Sequence, residues 1–224
     1  MHSATPPTAA AQGGSRTAPL RAVDRASADL RRGDLVLVRP ETGAALLAQA
    51  TETVTPAGIA RLQVLAGETP GVVITAQRAC VLGLASEDRG VVELMPGAAL
   101  DAQLVRALSD PTAMVPPRDV AALQEMPRRH VPEEARDGVV AVVKLAKLAR
   151  LLPAALVARV ERPIGVERLL LRTDILSVGA GDIDTYDEHA ARSLHEVARA
   201  RVPLDLAEDT RIVAFRPTDG GLEH

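Results

Sequence analysis

The chain has 224 residues, 47% of them hydrophobic, and its 26 Lys and Arg against 29 Asp and Glu give a net charge of −3. This is enough apolar material for one large domain or two small ones. The near-neutral balance, without a block of like charge, excludes an electrostatic case for nucleic acid or an anionic membrane surface.

Aromatic side chains are confined to Tyr186 and Phe215. The core must therefore be Leu, Val, Ile and Ala, and it offers no platforms for stacking bases or sugars. A single cysteine, Cys80, excludes an intramolecular disulfide and a multi-cysteine metal site. In its short predicted helix, a small buried thiol is a simpler reading than a nucleophile.

Residues 1–20 are rich in Ala, Thr, Pro, Gly and Ser and are expected to be disordered. They have neither a basic n-region nor an apolar h-region, so they do not read as a secretory signal. No later run reaches the length of a membrane span, and the expected location is cytoplasmic. Residues 22–32 predict a short helix closed by Gly33. Residues 35–38 follow as a strand buried on both faces, and a turn at 40–43 leads to a second apolar segment at 44–50.

The clearest helix spans 55–67: Thr55 suits the cap, Pro56 the first turn and Gly67 the end, with Ile59, Leu62 and Leu65 on one face. Residues 72–75 predict another buried strand, followed by the helix bearing Cys80. The prolines between 96 and 132 argue against long regular elements there. A helix is expected at 133–152, acidic at its start and basic at its end, and stopped by Pro153. A strand at 154–160, a helix at 182–201 and a final strand at 211–217 complete the reading.

Alternating short strands and helices define an α/β fold, α+β being the alternative, with helices flanking a mixed sheet. The turn residues Thr218–Gly221 after the last strand lack a return arm, so the ending reads as an interruption.

No local pattern assembles an active site. His130, in Arg128-Arg-His130, reads as a solvated basic loop without a Gly-rich nest. His189 and His195 lie six apart on one predicted helix, which puts them on different faces and rules out a shared metal. Asp182, Asp184, Asp187 and Glu188 are read as capping and dipole compensation rather than as a magnesium site. Gly179-Ala-Gly181 lacks the Lys and Ser/Thr of a phosphate loop, and Glu41 and Glu52 have no visible partner.

Two stretches carry a resemblance. Residues 22–38, 50–56, 71–84 and 143–155 resemble 3,4-dihydroxy-2-butanone 4-phosphate synthase. Residues 198–224 are similar to the opening of a GTP cyclohydrolase II domain. Both families belong to riboflavin biosynthesis, and the order matches the long bacterial form of GTP cyclohydrolase II, with a degenerate synthase-like domain in front. The implied division is 1–20 tail, 21–195 synthase-like domain and 196–224 incomplete cyclohydrolase start.

The departures decide what the resemblance implies for chemistry. The synthase family's acidic, magnesium-holding loop corresponds to Arg39-Pro-Glu-Thr-Gly43, with one carboxylate. Its Gly-His-Thr-Glu motif corresponds to Arg136-Asp-Gly-Val-Val140, and the acid after its later strand falls near Arg159. The cyclohydrolase reaction opens the GTP imidazole ring, releasing formate and pyrophosphate, at a zinc held by three cysteines. Those cysteines have no counterpart here.

The resemblance therefore implies a non-catalytic part, with no catalytic, cofactor-binding or metal residue and no cofactor in this chain. The alternative is a free-standing scaffold module that dimerises or associates with a separate cyclohydrolase.

Overall fold

The computed structural model describes residues 13–95, 100–133, 138–160, 164–172 and 174–217. The first twelve residues, Arg136 and Asp137 of the degenerate motif, the turn after Pro217 and residues 222–224 lie outside them. The chain forms two compact units: Val23–Asp184, and Thr185–His224 grouped with the residues up to Ala22.

The larger unit begins within α1 (Gly13–Arg32), which starts well before the predicted residue 22 and takes in the last part of the predicted tail. Its end is as expected. Gly33 takes φ 85°, its N–H donates to Leu30 O, and Asp34 N–H reaches back to Asp29 O, the paired closure that a left-handed cap allows.

β1 (Val36–Arg39) and β2 (Ala45–Ala50) pair antiparallel across the Pro40–Gly43 turn, and every β2 residue is buried. A 3-10 turn, Thr51–Thr53, leads to α2 (Pro56–Ala66). Here Thr55 Oγ1 accepts from Gly58 N–H at 3.0 Å, and Gly67 closes the helix at φ 77°. Ile59 and Leu62 are buried, as their spacing predicts.

β3 (Gly71–Thr75) and α3 (Ala76–Val81) follow, the helix capped by the Thr75 hydroxyl. Cys80 is half-buried rather than buried, its thiol donating to Glu87 O at 3.3 Å.

The proline-rich middle holds only short elements: β4 (Val91–Leu94), α4 (Ala102–Ser109), α5 (Pro117–Gln124) and β5 (Arg128–Val131). α6 (Gly138–Leu148) ends earlier than predicted, because the chain breaks at Arg150, φ 59°, before Pro153 is reached. β6 (Ala154–Val160) is as predicted. α7 (Ile164–Arg172), β7 (Leu176–Gly179) and α8 (Ala180–Asp184) complete the unit.

Seven strands form one mixed sheet in the order β5-β4-β3-β6-β2-β1-β7. Only the β1–β7 pair is parallel among them. The main core lies on one face, where Leu47, Ile74, Leu94, Leu156 and Val160 meet buried residues of α2, α3, α4, α5 and α7. α6 covers the other face so closely that a Cβ on Gly138 would lie 2.7 Å from Leu46 Cδ1. Alternation along β6 sends Arg159 to the α6 face and Ala158 and Val160 to the main core.

The smaller unit corrects the reading of 182–201. Instead of one helix, the chain forms α9 (Tyr186–Arg192) and then β8 (Leu194–Arg201), paired antiparallel with β9 (Arg211–Pro217). Among the described residues, the last strand thus has a partner upstream, in β8. The apolar positions of 194–201 suit either period, and pairing with β9 selects the strand. A division at residue 195 would cut β8. All eight β8 residues are exposed, and Leu204, Leu206, Ile212 and Phe215 are exposed beside them.

Candidate functional site

The positions singled out by the sequence do not converge. His130 lies on β5, not in a loop; its Nε2 is 2.7 Å from Arg89 O and its Nδ1 3.6 Å from Glu87. His189 is on α9 and His195 on β8, both outside the larger unit. Asp182 falls in the first turn of α8, and Asp187 and Glu188 in that of α9, where their charge suits the helix dipole. Side-chain capping is not used at α9, because its N-cap is Thr185, with no side-chain cap hydrogen bond. Glu41 and Glu52 both have partners; the Glu52 carboxylate accepts from Leu152 N–H.

The polar cluster that the fold does assemble centres on Glu93, which sequence reasoning passed over. Glu93 sits on β4 opposite Arg129 of β5, and its side chain is fully buried. Its Oε2 accepts from Arg129 Nε at 3.1 Å, Arg129 Nη2 at 2.7 Å and Arg159 Nη2 at 2.7 Å. Arg159 Nη1 is 2.7 Å from Oε1, an ion-pair contact whose angle falls short of a hydrogen bond.

Between β4 and β6 runs β3, whose Gly71 leaves room beside the carboxylate: a Cβ there would lie 3.5 Å from Oε1. Burial alone would raise the Glu93 carboxyl. Hydrogen bonds from Arg159 and Arg129, with their charges, outweigh it and hold the group below its ordinary value. A charged residue inside the apolar run 91–94 was the available signal, since buried carboxylates need paired cations.

This arrangement decides whether a divalent cation fits. Where the resemblance expects an acid, Arg159 places a guanidinium, and the one buried carboxylate nearby already accepts from two arginines. Such a donor set repels a metal ion instead of ligating it. Among the described residues, no group of three or more His, Cys, Asp or Glu stands together as a metal site.

On the opposite face lies an open cleft of about 720 Å³, between the end of α2 and α7. Val64, Leu65, Val160 and Leu169 line it, together with Glu68 and Arg168. Glu68 accepts from the backbone N–H of Arg159. No described helix is long and apolar enough to cross a membrane.

The fold is that of the dihydroxybutanone-phosphate-synthase class. It is similar to a two-domain 3,4-dihydroxy-2-butanone 4-phosphate synthase from A. baumannii, with a TM-score of 0.58 and 13% identity, over 87% of this chain and 66% of that one. It is also similar to the Candida albicans synthase, with a TM-score of 0.56 and 18% identity, over 74% of this chain and 96% of that one. No family model matches the sequence.

The sequence relationship is to GTP cyclohydrolase-2 of Azospirillum brasilense, 42% identical over 212 residues. The match takes in 92% of this chain and 53% of the relative, so the chain spans about half the length of the curated protein it matches. Together these findings give a synthase-like fold in a chain related in sequence to GTP cyclohydrolase-2.

Proposed function

We propose that this chain is a non-catalytic, N-terminal part of a GTP cyclohydrolase II-type protein, whose ring-opening reaction belongs to a zinc-bearing domain that its residues do not include. The observation that carries this reading is Arg159. It occupies the place of the expected acid and is bound to Glu93, so the synthase fold persists with a salt-bridge cluster where the resemblance implies a magnesium-binding one.

The test uses the purified chain. Ribulose 5-phosphate with magnesium should give no product, GTP should release no formate, and zinc should not bind stoichiometrically. Turnover of either substrate overturns the proposal.

The exposed β8–β9 hairpin favours a second reading, a module that associates with itself or with a separate cyclohydrolase catalytic domain. A lone two-stranded hairpin is marginal in water, and this one shows apolar side chains on exposed strands. Sedimentation as a dimer, or retention of a purified cyclohydrolase domain on the immobilised chain, supports that reading. A monomer that retains nothing sinks it.

A further inference from the structure

We propose that the cleft between α2 and α7 binds a small organic carboxylate with an apolar body, its acid on Arg168 and its body against Val64, Leu65 and Leu169. This inference goes beyond the proposed function: the cleft lies on the main-core side of the sheet and shares only Arg159 with the Glu93 cluster. Its volume, about 720 Å³, is in the range of small-molecule sites.

Gly165 helps keep the cleft open. A Cβ there would press to 3.1 Å from Val160 Cγ1, so the glycine leaves that stretch of wall without a side chain. Val64 leaves 81% of its surface exposed at the mouth of the cleft. An apolar ligand body would cover it.

Charge selects the ligand's head. Of the charged residues lining the cleft among the described ones, Arg159 sends its guanidinium to Glu93, and Glu68 is held by the Arg159 backbone N–H. Arg168 makes no hydrogen bond or ion pair among the described residues, so its donors are available. A guanidinium offers a fork that matches a carboxylate. The Glu68 carboxylate and the C-terminal end of α2, which carries partial negative charge, also border the cleft.

The experiment is methyl NMR on the full chain with hexanoate, hexylamine and inorganic phosphate as probes. Hexanoate should shift the methyls of Val64, Leu65 and Leu169, and hexylamine and phosphate should leave them in place. Arg168→Glu should weaken hexanoate binding about tenfold or more, and Arg168→Lys by only a few-fold. Arg168 is exposed, so both variants should fold, and unchanged Leu47 and Ile74 methyls would verify it. The proposal is overturned if hexanoate leaves the cleft methyls unmoved up to its solubility. Equal shifts with hexylamine or phosphate, or undiminished binding by Arg168→Glu, would overturn it as well.

Discussion

Glu93 shows how one buried charge shapes the domain around it. A carboxylate fully withdrawn from water survives only because two guanidiniums converge on it, and each of those side chains stays more than a third exposed. Replacing Glu93 with Gln would leave two cations facing each other across a neutral amide. Loss of one partner from a fully buried pair costs about 3–5 kcal/mol, and the partial solvation of the arginines reduces this to roughly 2 kcal/mol.

Glu93→Gln should therefore lower the unfolding free energy by about that amount at neutral pH, read from the shift of the urea midpoint at unchanged slope. The sign with pH follows from the depressed carboxyl. Its contribution is complete above the ordinary value of 4.5 and is lost as pH falls through the lower value of the folded state. The gap between wild type and Glu93→Gln should accordingly stay constant from pH 7 to about 5 and close in more acid solution. A gap that widens with acid would contradict this account.

At the scale of elements, legibility in the sequence followed how local the governing signals are. α2 could be read almost residue by residue, because the Thr55 cap, Pro56, the Ile59–Leu62 face and the Gly67 stop all lie within one short stretch. The closure of α1 at Gly33 was equally plain. β8 was misread because its identity depends on a strand that arrives only after the 202–210 loop.

The Glu93 cluster was invisible for the same reason. Its three members are far apart in sequence and meet only when β4, β5 and β6 join one sheet. What was legible was the negative half of the story, that the positions marked by the resemblance hold the wrong residues for magnesium. The locally encoded part can be tested at its start. Thr55→Ala removes the hydroxyl that accepts from Gly58 N–H and should cost about 1 kcal/mol, read as a shift in the urea midpoint with unchanged slope.

At the scale of the whole molecule, every residue of the main core cluster falls between Leu35 and Ile175. The larger unit thus carries its own core, and a chain ending at Asp184 should keep a single cooperative unfolding transition. Its slope with denaturant should fall only by the share that the removed hairpin contributes. A broad or absent transition would show that residues 185–224 are needed for the core to form.

The position of β6 in the sheet has a consequence for how such a chain comes into being. This strand is near the end of the larger unit in sequence, yet it sits in the middle, with β3 on one side and β2 on the other. The β5-β4-β3 strands on one side and the β2-β1 pair on the other can be synthesised and partly collapsed while neither has its central neighbour. The sheet closes only when residues 154–160 are inserted between strands made about a hundred residues earlier. Non-local closure of this kind is slow and leaves strand edges open meanwhile. During synthesis, therefore, the chain is most vulnerable to wrong pairing just before β6 emerges from the ribosome.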